Sequence, residues 1–352
     1  MKKKILYVMH VDWNWIKQRP HFIEEHLEDE FDVVVLCPRN YRIKEYHDKQ
    51  NIHVFYTIPF VRRFPVLWRI DHFRDGQFVR KYIDKEKPDI IYATHPRYGE
   101  YIPKSYEGKV LYDCMDDMLS FNKKSGYVSR ISKQETIMMD RADIVLATSE
   151  NLKAILNNRY PNSIYKTHLI RNGYDGKIAE IKQFPTSPIF TFCYFGTISH
   201  WFNFDYILKS LIDFPNIQYK LIGPIEAGTN IPQHERIMYR PPVKHDELLE
   251  ATRDTDAFIM PFQLNDLILS VDPVKLYEYI NFGKNILCVE YPEIKRFENF
   301  VYFYKDYESY KSQVKELITC SSTKYSEEDR LVFLSDNTWE KRTKDIVTLL
   351  NK

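Results

Sequence analysis

The sequence predicts an α/β protein built from two doubly wound lobes. Three observations carry that expectation: its length, the character of its apolar runs and the order in which they recur. A chain of 352 residues exceeds one ordinary core and suits two domains of roughly 150 residues each. Its strand candidates are mostly continuous apolar runs, the pattern of strands covered on both faces in a parallel sheet. Helix-period stretches separate them, so the order βαβα appears twice.

In the first lobe the strand candidates are KILYVMH (4–10), DVVVLCP (32–38), HVFYTI (53–58), DIIYATH (89–95), KVLYDCM (109–115), DIVLATS (143–149) and THLIRNG (167–173). Between them HFIEEHLEDE (21–30) and SRISKQETIMMDRA (129–142) have helical spacing. A polar, proline-bearing segment, KIAEIKQFPTSP (177–188), precedes the second series. That series runs IFTFCYFG (189–196), YKLIGP (219–224), RIMYRPP (236–242), DAFIMPF (256–262), NILCVE (285–290) and VYFYKD (301–306), with helices expected at 204–214, 245–255 and 272–283. The last stretch reads as a helix whose Trp339, Ile346 and Leu349 need a surface to cover. The expected domains are residues 1–176, residues 177–334 and a returning helix at 335–352.

Fifty basic residues balance forty-nine acidic ones, so net charge announces neither a nucleic-acid partner nor an acidic tail. The five cysteines lie at no metal-ligand or redox spacing and read as reduced core residues of a cytoplasmic protein. The apolar run at the start is too short for a signal peptide, and no run approaches the roughly 20 apolar residues that span a bilayer. With 26 tyrosines and 22 phenylalanines to place, peripheral contact with the inner face of the membrane stays open.

In such sheets ligands sit beyond the carboxyl ends of the strands. Gly196 follows one strand and precedes a helix, and with Thr197 and Ser199 it lets amides and hydroxyls approach a phosphate. The alternative is a tight turn that needs glycine. There is no GxGxxG and no GxxxxGK[ST], so neither a dinucleotide fingerprint nor a P-loop is present. In SVDPVKLYEYINFGK (270–284), Asp272 suits an N-cap, Pro273 the first helical position and Gly283 the stop. Lys275 then falls in the first turn, where the helix dipole makes a cation unfavourable by up to about 1 kcal/mol. A bound diphosphate would use the amides of Val274, Lys275 and Leu276 and neutralise Lys275 at once. The plainer alternative is a solvated Lys275 paired with Glu278.

The segments GTISHWFNFDYIL, LIGP, DELLEATRDTDAFIMPF and DPVKLYEYINFGKNIL resemble the donor lobe of GT-B glycosyltransferases. WNWIKQRPHFIEEHL, LYDCMDDMLSF, ADIVLATSENL and IRNGYD resemble the bacterial cell-surface polysaccharide branch that includes teichuronic-acid-type transferases. The resemblance implies a GT-B fold of two Rossmann-like lobes facing across a cleft, a nucleotide-sugar donor, UDP first, and a saccharide or lipid-linked acceptor. No DxD motif stands at a strand end of the second lobe, so no metal and no cofactor are expected, and the resemblance leans toward retention over inversion. That family carries a Glu, seven residues and a second Glu; the second, which holds the ribose hydroxyls, maps onto Glu278, whereas Ser270 stands in the first position. Asp272 is a stand-in for the missing acid, His200 for the family's basic residue near the glycine loop, and Tyr239 and Arg240 are candidates beside the base. Asn172, Gly173 and Asp175 match the family's interdomain turn.

The acceptor lobe offers His10, Asp12, Trp13, Arg19, His21, His95, Asp113, Asp116 and Asp117 at strand ends and helix starts. An inverting enzyme needs a base there, and Asp12, His95, Asp116 and Asp117 are the candidates. Each has a structural alternative, such as Asp12 in a turn cap, Trp13 beneath the C-terminal helix or Asp113 in an Asx-turn. The rival functions are an epimerase or phosphorylase of the same fold, and a two-lobed sugar-binding protein without catalysis.

Overall fold

Every apolar run named above forms a strand, and among the described residues every strand pairing is parallel. The computed structural model describes residues 2–15, 17–39, 51–56, 65–121, 124–181 and 188–352. Thr57 and Ile58, expected in the third strand, lie outside them. The chain divides into two compact units, Met1–Arg171 with Trp339–Lys352, and Asn172–Thr338.

The first unit holds a 7-stranded sheet of order β3-β2-β1-β4-β5-β6-β7. Its strands are β1 (Lys4–Val8), β2 (Asp32–Arg39), β3 (Ile52–Tyr56), β4 (Ile90–Ala93), β5 (Lys109–Cys114), β6 (Ile144–Ala147) and β7 (Thr167–Leu169). The central strands are buried along their length, as continuous apolar runs require. Between its strands lie the helices α1 (Arg19–Leu27), α2 (Pro65–Glu86), α3 (Ser125–Arg141) and α4 (Glu150–Arg159). Ser149 caps α4 by accepting the Leu152 N–H at 3.0 Å. Strand order reverses between β1 and β4, the position where such sheets bind ligands.

In the second unit a 6-stranded sheet runs β10-β9-β8-β11-β12-β13, so its reversal lies between β8 and β11. In chain order the elements are β8 (Phe190–Phe195), α5 (Phe204–Asp213), β9 (Ile217–Ile222), β10 (Ile237–Arg240), α6 (Leu248–Ala251), β11 (Ala257–Met260), α7 (Asp266–Leu269), α8 (Val274–Asn281), β12 (Asn285–Val289), β13 (Val301–Tyr304), α9 (Tyr307–Thr319) and α10 (Glu327–Asp336). The last helix, α11 (Trp339–Leu350), is part of the first unit. There Trp339 stacks on Phe22 of α1 at 5.3 Å and 9°, and Lys109 Nζ donates to the Leu350 carbonyl at 3.1 Å.

Two expectations about helices are corrected. Residues 245–255 form a 3-10 turn (His245–Glu247) and the single turn α6 rather than one long helix. The 272–283 helix is the shorter α8, with Pro273 at its N-cap. Asp272 does not cap it because its carboxylate is drawn elsewhere: it accepts the Asn172 N–H at 2.7 Å and pairs with Arg296.

Candidate functional site

The strongest convergence of the expected residues is at the carboxyl end of β8. Gly196 has φ +133° and Gly223, at the end of β9, has φ +144°, conformations that side chains resist. A Cβ on Gly196 would collide with Cε of Lys275 and lie 2.8 Å from its Nζ, and one on Gly223 would collide with the Gly196 carbonyl. At Gly223 backbone meets backbone and leaves no room for a Cβ, whereas at Gly196 the positive φ is the firmer demand for glycine, since the clashing atoms are the tip of the flexible Lys275 side chain. Lys275 Nζ rests 5.8 Å from the Tyr194 ring centroid. Burial pushes the ammonium below its ordinary range, against the opposing pull of the Glu278 charge. The helix start disfavours the charge as well, and an anion placed there would relieve both costs.

The amides at this helix start are not equivalent. The Leu276 N–H is spent on the Pro273 carbonyl at 3.1 Å, and its side chain is core. Leu276 is thus removed from the expected anion cradle, which retains the Val274 and Lys275 amides. Asp272 is likewise corrected from a donor contact to an anchor. Almost fully buried, it holds the Asn172 N–H, the Tyr277 hydroxyl at 3.1 Å and Arg296, while its carbonyl accepts from Asn172 Nδ2 at 2.7 Å.

One turn on, Glu278 does not pair with Lys275. Its Oε1 lies 2.7 Å from His245 Nε2, on the 3-10 turn after β10. Sequence reasoning missed His245, since only the fold brings residues 33 apart into contact. Ser270, in the position of the missing acid, is buried and donates to the Asp266 carbonyl at 3.1 Å.

Within the loop after Gly196, Thr197 is exposed and its carbonyl accepts from the Tyr194 hydroxyl at 2.8 Å. Ser199 is buried and bonded to Glu226 and, at 3.1 Å, to His200 Nδ1, so its hydroxyl ties two loops together rather than waiting for a phosphate. The His200 ring is exposed, 3.9 Å from Glu226. Tyr239 donates to the Gly223 carbonyl at 3.0 Å and helps line a surface hollow of about 480 Å³ with Ile225, Ile231 and Ile237. Arg240, the last residue of β10, is exposed.

At the first unit's reversal the structure brings His10 and His95 together, ring centroids 6.0 Å apart. His10 Nδ1 meets Thr94 Oγ1 at 2.8 Å, and burial lowers its pKa to about 4. His95 accepts the Arg97 N–H at 3.1 Å as the cap of a 3-10 turn, and burial, with Arg97 and His10 adding, holds it well below the usual histidine range. Both rings are neutral near pH 7. Asp12 closes an Asx-turn onto the Asn14 N–H at 2.9 Å and lies 3.7 Å from Arg39. Trp13 lies against His21 at 5.2 Å, while the surface under the C-terminal helix is Phe22. Asp117 takes both Arg159 nitrogens, at 2.7 and 2.9 Å, and these bonds with Ser120 outweigh its burial and keep it below the usual range. Burial and the neighbouring Asp117 raise Asp116 to about 6. Asp116 is therefore the carboxyl of this set best suited to exchange a proton near neutrality. Asp113 is not an Asx-turn residue: it receives Arg19 Nε at 2.9 Å and the Tyr92 hydroxyl at 2.8 Å. Among the described residues no group of three His, Cys, Asp or Glu is placed to hold a metal ion.

Two parallel-sheet, Rossmann-like units in one chain are the architecture of the GT-B fold. Comparison with known proteins agrees. The family model of Glycosyltransferase Family 4 matches residues 21–177. A candidate teichuronic acid biosynthesis glycosyltransferase of Bacillus subtilis (strain 168), TuaH, is 22% identical over 356 residues, covering 86% of this chain and 85% of that protein. Sucrose-phosphate synthase from Thermosynechococcus elongatus superposes with a TM-score of 0.77 at 11% identity, covering 99% of this chain and 98% of the other. HepE of Anabaena, solved in complex with UDP and glucose, superposes with a TM-score of 0.70 at 14% identity, covering 99% and 100%. The chain is a GT-B glycosyltransferase.

Proposed function

We propose that this enzyme moves a sugar from a UDP-sugar to a saccharide or lipid-linked acceptor in the synthesis of a bacterial cell-surface polysaccharide, at the inner face of the membrane. The observation that carries the donor assignment is Lys275 laid across Gly196 at the start of α8, a partly desolvated cation beside two amides. A leaving diphosphate gains negative charge in the transition state, and a pre-placed ammonium and helix start stabilise it there without a metal. Glu278, steadied by His245, lies one turn on and takes the ribose hydroxyls. The UDP complex of HepE and the name of TuaH support the donor and the pathway class.

Retention of configuration is the favoured outcome. Asp12 and Asp117 are engaged with Arg39 and Arg159, which lowers their value as bases, and in a retaining reaction the departing phosphate accepts the acceptor's proton. Asp116 is the base if the reaction inverts. A thermal-shift panel of UDP, GDP, CMP and dTDP in the presence of a chelator tests the donor site, with UDP expected to stabilise most; absence of any shift would sink it. The anomeric configuration of the product, read by NMR, decides between retention and inversion.

A further inference from the structure

Beside its two neutral histidines the first unit places two half-buried arginines whose N–H groups are largely unspent. Arg97 lies on the 3-10 turn Pro96–Glu100 that follows β4, and Arg130 on α3. Gly99 lets the two elements press together, since a Cβ there would stand 2.9 Å from the Met138 Cα. The Arg97 guanidinium lies 5.0 Å from the Tyr98 ring and 5.9 Å from that of Phe55, and Arg130 lies 4.7 Å from the Trp68 ring. Rings can cover the flat faces of a guanidinium, but its N–H groups lie in the plane and need acceptors. Arg97 donates from Nη2 to the Tyr98 hydroxyl at 3.1 Å, and its Nε is buried with no partner. Its one acid among the described residues, Asp75, stays 4.0 Å from Nη1. Arg130 makes no hydrogen bond or ion pair among the described residues. Glu100, on the same turn as Arg97, is held by His72 at 2.8 Å and Gln134 at 3.0 Å. By contrast the half-buried Arg141 and Arg159 of this unit are spent on a carbonyl and on carboxylates. Burial, then the charges of Arg97, His10 and Arg130, hold the His95 ring neutral, so both guanidiniums bear on that ring. Its Nδ1 accepts the Arg97 N–H, which leaves the ring proton on Nε2, a donor with no partner among the described residues.

We propose that Arg97, Arg130 and the Nε2–H of His95 form an oxyanion site, and that the acceptor sugar carries the matching carboxylate or phosphate. This names the acceptor's class and rests on the glycosyl transfer proposed above. Asp75 offsets one guanidinium and leaves the other uncompensated. A neutral hydroxyl would leave that charge partly desolvated and unpaired, whereas an oxyanion supplies both the acceptor atoms and the counter-charge. The turn that carries Arg97 and His95 follows β4, beside the reversal between β1 and β4 where such sheets take ligands. With its lone pair spent on the Arg97 N–H, His95 serves here as a donor rather than as a base. A uronate and a phosphate ester present the same paired oxygens to a guanidinium, and the test separates them. The set shares no residue with the donor site around Lys275.

Calorimetry on the full chain without UDP, at constant ionic strength, compares glucose with glucuronic acid and with glucose 6-phosphate. At least one anion is expected to bind about tenfold more tightly than glucose, the worth of a charge-assisted pair, and the one that does names the source. R97Q and R130Q should each remove most of that preference, and R97K should keep part of it, because a point charge replaces the fork. Melting temperature and UDP affinity should match wild type in all three variants, which separates loss of the anion from loss of fold or of the donor site. Anion preference in a chain that fails to bind UDP would support this site while sinking the donor assignment. No preference for either anion over glucose, including no measurable binding of either, would overturn the proposal. So would a preference undiminished in R97Q and R130Q, or a fall in UDP affinity in R97Q, which would move Arg97 to the donor.

Discussion

Lys275 illustrates how a residue that is unfavourable alone becomes functional in context. Its ammonium sits at a positive helix end, partly stripped of water, with Tyr194 as its nearest aromatic face. Lys275→Ala should cost about 1.5–3 kcal/mol of UDP affinity, the value of a charge-assisted hydrogen bond, and leave uridine affinity unchanged. Calorimetry at one salt concentration measures both, and equal UDP affinity would remove Lys275 from the site. Gly196→Ala should destabilise by about 1–3 kcal/mol, because φ +133° is strained for alanine and the new methyl strikes Lys275. Gly176→Ala is the control: its φ is +81° but its surroundings are open, so it should strain the backbone without affecting UDP binding. For Glu278, His245 is the check. His245→Ala should reduce the preference for UDP over its 2′,3′-dideoxy analogue, and Glu278→Ala should abolish it. An unchanged preference in both variants would show that the ribose is held elsewhere.

At the scale of elements, buried ion pairs rather than caps decide how the strand-end loops are held. Arg19 opens α1, Asp113 lies in β5, Tyr92 in β4, and Arg19 Nη1 also donates to the Arg171 carbonyl at 3.1 Å. Asp113→Ala leaves a buried guanidinium without its carboxylate and should cost about 3–5 kcal/mol in chemical denaturation. A loss below about 1 kcal/mol would mean that water reaches Arg19. The pairing was not legible in the sequence, where Arg19 reads as a helix start, which it is, and Asp113 as a turn residue, which it is not. Local patterns carry caps and periods, but not which distant charge a residue meets. Helix α2 was missed for a related reason. Its apolar residues occupy both faces, Phe73 and Ile70 outward and Val79 and Ile83 inward, which erases the single stripe that marks an amphipathic helix. Gly76 in mid-helix weakens the signal further, and only the structure shows that a Cβ there would come within 3.1 Å of the Tyr101 ring.

For the whole molecule, two half-buried groups set opposite responses to acid. His10 has a pKa of about 4 in the folded chain against an ordinary 6.5. As pH falls through that window the unfolded chain takes up a proton that the native state refuses, so stability falls. Asp116 has its pKa raised from 3.8 to about 6, so the native state keeps a proton that the unfolded chain releases, and its contribution is lost as pH rises. His10→Gln should therefore flatten the acid side of the curve of melting temperature against pH. Asp116→Asn should be more stable than wild type at about pH 7.5, with the difference vanishing near about pH 4. Parallel curves for variant and wild type would count against either assignment.

The sequence by itself determined the strand layout and the α/β architecture. Strands buried on both faces must be apolar throughout, and that signature survives without any knowledge of neighbours. It also marked the places where backbone must come close, since only glycine tolerates the conformations of residues 196 and 223. Tertiary structure alone decided which polar groups are spent and which are left for chemistry. Asp272, Ser199, Asp117 and Asp12 each looked available and each proved engaged, by Arg296, Glu226, Arg159 and Arg39 respectively. A charge's availability depends on what lies within a few ångströms, and for these pairs the partner comes from 24 to 42 residues away along the chain.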